Sequence, residues 1–193
     1  QKLIGINKIN IAVFISGTGT NFKNLIKYSL TKNSKFRIKL VISNNLSAKG
    51  LNYAKKFKIK KKVINYKKVN IAEKKILNLL KKNNIQIVCL AGFMKILTHK
   101  FINSFKGKII NIHPSLLPKY KGLNTHQRAL ENKEKYSGCT VHYVNVKLDA
   151  GKIIIQKKVK ILKNDNINRL SKRILKLEHL IYPKALEKVI SSL

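Results

Sequence analysis

The segment "INIAVFISGTGTNFKNLIKYSL" (residues 9–30) decides the fold class of this chain. Its first part, 9–17, is an apolar run of strand length that ends at Gly17. Apolar residues then recur at helical intervals, at Phe22, Leu25, Ile26 and Leu30. A strand that passes through a short glycine-containing loop into a helix is the first half of a βαβ unit.

The same alternation continues through the first half of the chain. Strands are expected at 36–43, 61–65 and 85–92, and helices at 48–57 and 71–83. Strands joined by helices form a parallel sheet through right-handed crossovers, and near-continuous apolar runs suit strands that are covered on both faces. The fold class is therefore predicted to be α/β, with a mostly parallel twisted sheet and helices on both faces.

The second half predicts further elements around the same sheet. A short helix (98–105), a strand (108–112) and a loop with Pro114 and Pro118 come first, followed by a helix at 125–132. Two late strands (139–145, 152–161) and a long helix (166–190) complete the pattern. No repeat or flexible linker interrupts it, so residues 1–193 are expected to form a single domain.

The net charge of +35 is the most extreme feature of the composition. Only four of the 42 basic residues are arginine: Arg37, Arg128, Arg169 and Arg173. Proteins that read nucleic acid favour arginine, whereas lysine, isoleucine and asparagine, all with A/T-rich codons, are spread along this whole chain. Compositional drift explains the charge better than a dedicated polyanion surface, so nucleic acid is not expected as a partner.

Cys89 and Cys139 both lie inside apolar stretches, which favours buried thiols over a disulfide or a metal site. No apolar run reaches membrane-spanning length, and the N-terminus lacks the continuous apolar core of a secretory signal. A cytoplasmic protein with no membrane partner is expected.

Polar residues with chemical potential follow several of the predicted strands. The loop "SGTGTN" (16–21) has two glycines and begins a helix, which suits a phosphate, although a plain tight turn is an equal alternative. In "NIHPS" (111–115), Asn111 can hold a developing oxyanion and His113 can move a proton. The competing interpretation makes Asn111 a turn former and His113 a satisfied surface group.

Two carboxylates stand out because the chain has only seven acidic residues. Asp149 lies in "LDAG" (148–151), where it can serve catalysis or simply form a turn. Glu178 lies on the late helix, where it can contact a ligand or relieve lysine crowding. Together, an amide, an imidazole and a carboxylate suit transfer of an acyl or formyl group to an amine. With no serine or cysteine elbow, direct transfer is favoured, and no cluster has metal-ligand spacing.

Several stretches carry a family resemblance. They are "VFISGTGTNFKNLI", "LAGFMKILTHKFI", "IINIHPSLLPKYKGLNTHQRALEN", "GCTVHYVNVKLDAGKIIIQ" and "LEHLIYP". They resemble the phosphoribosylglycinamide formyltransferases, folate-dependent enzymes of purine biosynthesis, and the resemblance runs from about residue 9 to residue 185. It implies a single formyltransferase domain that takes its formyl group from 10-formyltetrahydrofolate, acts on 5′-phosphoribosylglycinamide, uses no metal and exists as a monomer or homodimer.

The resemblance also implies roles for single residues. His113 would be the general acid/base, Asn111 the oxyanion holder, and Asp149 the residue that orients His113. The substrate would be held by Gly19, Thr20, Asn21 and Glu178. The folate would lie against Met94, Lys95, Ile96 and Leu97, within reach of Asn111, Asn145 and Asp149, with Lys68 in place of an arginine usual in the family.

Other functions remain open at the level of sequence. A methionyl-tRNA formyltransferase or a formyltetrahydrofolate deformylase would use the same chemistry, but members of those groups carry additional domains that this chain is not expected to have. From a different class, the chain could be a basic RNA-binding protein without activity, although no aromatic-rich stacking strand is evident.

Overall fold

The computed structural model describes residues 8–193, which form seven strands and six helices. The first half contains β1 (Ile9–Ile15), α1 (Thr20–Ser29), β2 (Phe36–Ser43), α2 (Leu51–Lys56), β3 (Lys60–Val63), α3 (Val69–Lys82) and β4 (Ile87–Leu90). The second half contains α4 (His99–Ser104), β5 (Lys108–His113), α5 (Thr125–Glu131), β6 (Tyr136–Tyr143), β7 (Ile153–Lys160) and α6 (Ile167–Ile190).

All seven strands belong to one sheet with the order β3-β2-β1-β4-β5-β6-β7. Strands β1 to β5 are parallel, whereas β6 pairs antiparallel with both of its neighbours. The predicted mostly parallel α/β fold is thus confirmed. The chain order reverses between β1 and β4, and in such sheets a crevice opens at the carboxyl ends of the strands on either side of the reversal.

Successive residues of β1 belong to different core clusters, because side chains alternate between the two faces of a sheet. Ile11, Val13 and Ile15 pack in the cluster that includes Phe22 of α1 and Leu170 of α6. Ala12 and Phe14 pack in the cluster that includes Ile76 of α3 and Phe101 of α4. Helices therefore cover both faces, as predicted, and they leave the crevice at the strand ends for a ligand.

Three local predictions were wrong. Leu30, expected on the buried face of the first helix, is 69% exposed and lies just after the end of the helix at Ser29. Helix α2 begins at Leu51 rather than at 48, directly after Gly50. Strand β6 begins at Tyr136 rather than at 139, because its pairing with β7 extends back to that residue.

Cys89 and Cys139 are buried free thiols, as predicted from their apolar surroundings. Among residues 8–193, no helix is both long and apolar enough to span a membrane.

The segment between β4 and α4 is fixed by a buried carboxylate. Glu73 of α3 is 4% exposed; its Oε1 accepts from the Thr98 N–H at 2.9 Å, and its Oε2 accepts from the Thr98 hydroxyl. The same hydroxyl oxygen accepts from the Phe101 N–H, which makes Thr98 the N-cap of α4. One carboxylate thus ties α3 to the start of α4.

Replacing this carboxylate should cost stability. We expect Glu73→Ala to lower the free energy of unfolding by about 1–3 kcal/mol, because the partly buried Thr98 N–H loses its acceptor. Chemical denaturation measures the change. Glu131→Ala removes an exposed carboxylate that accepts from Gln127 on the same helix. It should change the free energy of unfolding by less than about 0.5 kcal/mol. Equal effects of the two substitutions would contradict a stabilising role for the bonds between Glu73 and Thr98.

Candidate active site

A cavity of about 680 Å³ opens at the carboxyl ends of the central strands. Its size is in the usual range for a small-molecule site. Most of the predicted site residues line it: Asn21, Met94, Lys95, Ile96, Leu97, Asn111, His113, Asn145, Asp149 and Glu178. Residues from five separate parts of the chain thus meet at one place, although Gly19, Thr20 and Lys68 are outside this lining.

The loop from Gly17 to Thr20 is pressed against the start of α2. Gly19 has φ +71°, and a Cβ at this position would lie 2.6 Å from the Gly50 Cα. The Gly50 N–H also donates to the Gly17 carbonyl at 3.0 Å. Only glycine fits here, and no side chain of the described residues 8–193 caps the N-terminus of α1. The first N–H groups of this ten-residue helix can therefore receive an anion.

Lys68 is the residue that precedes α3, and its side chain is exposed. It does not belong to the cavity lining. The structure thus separates it from the other residues that the resemblance assigns to the folate.

His113 ends β5 and is 5% exposed. Its Nε2 lies 2.9 Å from the Tyr120 carbonyl oxygen, and its Nδ1 lies 3.4 Å from Asp149 Oδ2. A carbonyl can only accept, so Nε2 carries the hydrogen and Nδ1 keeps its lone pair in the neutral ring. Burial lowers the pKa of His113, and the bond to Tyr120 and the charge of Asp149 oppose this only in part. The neutral ring presents Nδ1 as a base.

Asp149 has φ +45° and sits between two imidazoles. Its Oδ2 accepts from the Gly122 N–H at 2.9 Å, and its Oδ1 lies 3.6 Å from His142 Nε2. Burial raises the pKa of Asp149, but His142, the Gly122 N–H and His113 together bring it below its ordinary value. The group is therefore an ionised carboxylate at neutral pH, facing the base.

His142 was not predicted as a site residue. It lies on β6 directly opposite Asn111 in the antiparallel pairing of β5 with β6. Its Nδ1 donates to the Tyr143 carbonyl at 2.8 Å, so its Nε2 can accept from Asn111 Nδ2 at 3.3 Å. This contact uses one of the two hydrogens of Asn111 Nδ2, and the other can be donated to a ligand. In the sequence, a histidine inside the apolar run "CTVHYV" is the only signal of this role.

Glu178 and Asn21 meet in another part of the cavity lining. Glu178 is 8% exposed, and its Oε2 accepts from Asn21 Nδ2 at 2.6 Å. Burial raises the pKa of Glu178, and the Asn21 bond opposes this in part. Asn21 Oδ1 is buried and has no hydrogen-bond partner among residues 8–193. These oxygens form an acceptor-rich wall suited to a ligand with several N–H or O–H donors.

Three large apolar side chains lie in the exposed part of the cavity lining, together with Lys95 and Lys147. They are Met94, Ile96 and Leu123, which are 63%, 73% and 71% exposed. Apolar side chains so open to solvent beside convergent polar groups are typical of a surface that a flat ligand covers. Among residues 8–193, no group of three or more histidine, cysteine, aspartate or glutamate side chains is arranged to hold a metal ion.

The arrangement supports one kind of chemistry. A base at His113, a carboxylate beside it and an amide donor at Asn111 can together serve attack by an amine on a carbonyl carbon. The amine loses a proton to the base, and the carbonyl oxygen becomes an anion that needs a donor.

The sequence of this chain is similar to those of several known proteins. A family model described as formyl transferase matches residues 9–186. The phosphoribosylglycinamide formyltransferase of Haemophilus influenzae is 43% identical over 176 residues, which cover 90% of this chain and 83% of that protein. The trifunctional purine biosynthetic protein adenosine-3 of Chironomus tentans is 44% identical over 196 residues. The match covers 99% of this chain but only 14% of that protein's length.

The fold is also similar to that of solved structures. The crystal structure of phosphoribosylglycinamide formyltransferase from Anaplasma phagocytophilum superposes with a TM-score of 0.87 at 43% identity, covering 92% of this chain and 84% of that one.

Proposed function

The chain belongs to the formyl transferase family, and on that premise we propose that it transfers a formyl group from 10-formyltetrahydrofolate to the amine of 5′-phosphoribosylglycinamide. The named relatives that match most of their own length support this choice of amine. One observation carries the proposal. The base His113 and the amide donor Asn111 face the same cavity, with the ionised Asp149 beside the base.

In the proposed reaction the amine nitrogen attacks the formyl carbon directly. His113 Nδ1 accepts the proton that the amine loses, and the imidazolium that results is stabilised by Asp149 Oδ2 and by the Tyr120 carbonyl. The Asn111 amide donates to the developing oxyanion. His113 then returns the proton to the nitrogen that leaves, so the bond to the donor breaks and no group stays on the enzyme.

The substrates are proposed to lie on opposite sides of this base. The 5′-phosphate would bind at Gly19, Thr20 and Asn21, where the glycine loop meets the uncapped N-terminus of α1. Glu178 would accept hydrogen bonds from the amine or hydroxyl groups of the ribonucleotide. The pterin would cover the apolar segment Met94–Leu97 and reach Asn145 and Asp149. A contact between Lys68 and the folate stays a prediction. It would require part of the folate to extend beyond the cavity.

A coupled assay with the purified chain tests the proposal. We expect formylation of 5′-phosphoribosylglycinamide that depends on 10-formyltetrahydrofolate, and no formylation of methionyl-tRNA. Formylation of the tRNA alone would favour the methionyl-tRNA formyltransferase alternative. Absence of both, with tight RNA binding that weakens steeply as salt rises, would favour the RNA-binding alternative. A cytoplasmic location and a monomeric or dimeric state stay predictions.

A further inference from the structure

The carbonyl group that holds His113 Nε2 lies in a strained segment. We call residues 119–123, between Pro118 and Asn124, the strap. Tyr120 in the strap has φ +56°, a left-handed conformation that is uncommon for a bulky side chain. Such a conformation costs free energy and persists only where surrounding contacts hold it. The position of the Tyr120 carbonyl therefore depends on what holds the strap.

The strap is held from both sides: within the cavity the Gly122 N–H donates to Asp149, and outside it Glu134 and Arg128 hold residues 119–121. Glu134, in the turn between α5 and β6, accepts from Lys119 Nζ at 2.7 Å and from the Tyr120 hydroxyl at 2.9 Å. Arg128 donates to the Lys121 carbonyl at 2.8 Å, and its guanidinium lies 5.1 Å from the centre of the Tyr120 ring. Glu134 contacts none of the side chains that we place in the reaction, and it does not line the cavity. It nevertheless fixes the Tyr120 side chain through the hydrogen bond to its hydroxyl.

Two acceptors compete for the single hydrogen of the neutral His113 ring. The Tyr120 carbonyl, 2.9 Å away, favours hydrogen on Nε2, whereas Asp149, 3.4 Å away, favours hydrogen on Nδ1. If the strap moves outward, the Tyr120 carbonyl moves away from Nε2. The hydrogen is then more stable on Nδ1, where it bonds to the Asp149 carboxylate. Nδ1 then carries a hydrogen already and cannot accept one from an amine.

We propose that Glu134 is a positioning residue: through the Tyr120 hydroxyl and Lys119 it keeps the Tyr120 carbonyl on His113 and so keeps the neutral ring in the tautomer whose Nδ1 is a base. The effect on catalysis rests on the proposed function, whereas the effect on the tautomer does not.

The tautomer can be observed directly by ¹⁵N NMR of the histidine rings at a pH where His113 is neutral. We expect wild-type protein to show hydrogen on Nε2, and Glu134→Ala to show a larger share of hydrogen on Nδ1. Tyr120→Phe, which removes one of the two bonds to Glu134, should lie between them. Glu131→Ala, a matched loss of surface charge from the end of α5, should give the wild-type spectrum. All four proteins should keep their melting temperatures within a few degrees.

The inference is overturned if wild-type His113 carries its hydrogen on Nδ1, or if Glu134→Ala and Tyr120→Phe both leave the ring spectrum unchanged. It is also overturned if Glu131→Ala changes the spectrum as much as Glu134→Ala does. In turnover, kcat of Glu134→Ala should fall about threefold to tenfold with little change in either KM, as expected for loss of solvent-exposed hydrogen bonds that act on the reacting group. A wild-type chain that forms no formylated product would refute the proposed function, and the ring spectra would still decide the role of Glu134.

Discussion

Asp149→Asn is expected to lower kcat for formyl transfer by about a thousandfold while the protein stays folded. The substitution keeps the shape of the side chain, and an amide oxygen can still accept from the Gly122 N–H. It removes the negative charge beside His113 Nδ1, which lies 3.4 Å away. The imidazolium that forms when the amine loses its proton then keeps only the Tyr120 carbonyl as a partner and loses the stabilising charge. General acid–base catalysis of this kind contributes about 10²–10⁴ in rate.

Steady-state turnover and thermal unfolding of the same preparation measure this result. His113→Ala should lose a similar factor, because the base itself is gone. Asp165→Asn is the matched control: Asp165 is the other aspartate of the chain, it pairs with Arg173, and its substitution should affect stability but leave kcat near the wild-type value. Near-native turnover in Asp149→Asn or in His113→Ala would remove the assignment of roles.

The pH dependence of kcat gives a second test of the interaction between Asp149 and His113. Burial holds the pKa of His113 below its ordinary 6.5, so wild-type kcat should be constant at neutral pH and fall only as the pH drops through that lowered value. The charge of Asp149 raises the pKa of His113. Removing that charge should lower this pKa further, so the acid limb of the Asp149→Asn profile should move to lower pH.

The sequence was sufficient to predict those parts of the structure that depend on a local residue pattern. Apolar runs and helical spacing placed β1, α1 and β2 almost to the residue, because each buries its own face against the sheet. Asn111 and His113 could be recognised because a strand that ends in polar residues before a proline delivers those side chains to the crevice. The resemblance then gave roles that spacing alone left open.

The sequence was insufficient where a role depends on distant pairing or on the backbone. His142 matters because register places it opposite Asn111, 31 residues away, and nothing local in "CTVHYV" specifies that register. The Tyr120 carbonyl holds His113, but a backbone group has no letter in the sequence. Lys68 was chosen by its place in a family pattern, and the fold puts it outside the cavity lining.

Gly151→Ala is expected to damage stability and catalysis together, because the glycine allows β6 to approach the loop that carries Asp149. A Cβ on Gly151 would lie 1.7 Å from the Tyr143 carbonyl oxygen and 2.7 Å from its carbon. Both are backbone atoms, so no side-chain rotation relieves the clash, and the end of β6 must move away from the loop that carries Gly151. The free energy of unfolding should fall by about 2–4 kcal/mol, in the range of severe overpacking.

The same clash should reach the active site by two routes. The Tyr143 carbonyl that it displaces accepts from His142 Nδ1, and Asp149 is two residues before Gly151. We therefore expect kcat to fall at least about tenfold, even at a temperature where circular dichroism shows the variant fully folded, because small misplacements of catalytic groups cost this much or more. Gly17→Ala, where a Cβ meets nothing within 4 Å, should leave the free energy of unfolding unchanged. If Gly151→Ala were as stable and as active as wild type, the close approach of the Asp149 loop to β6 could not be what aligns Asp149 with His113 and His142.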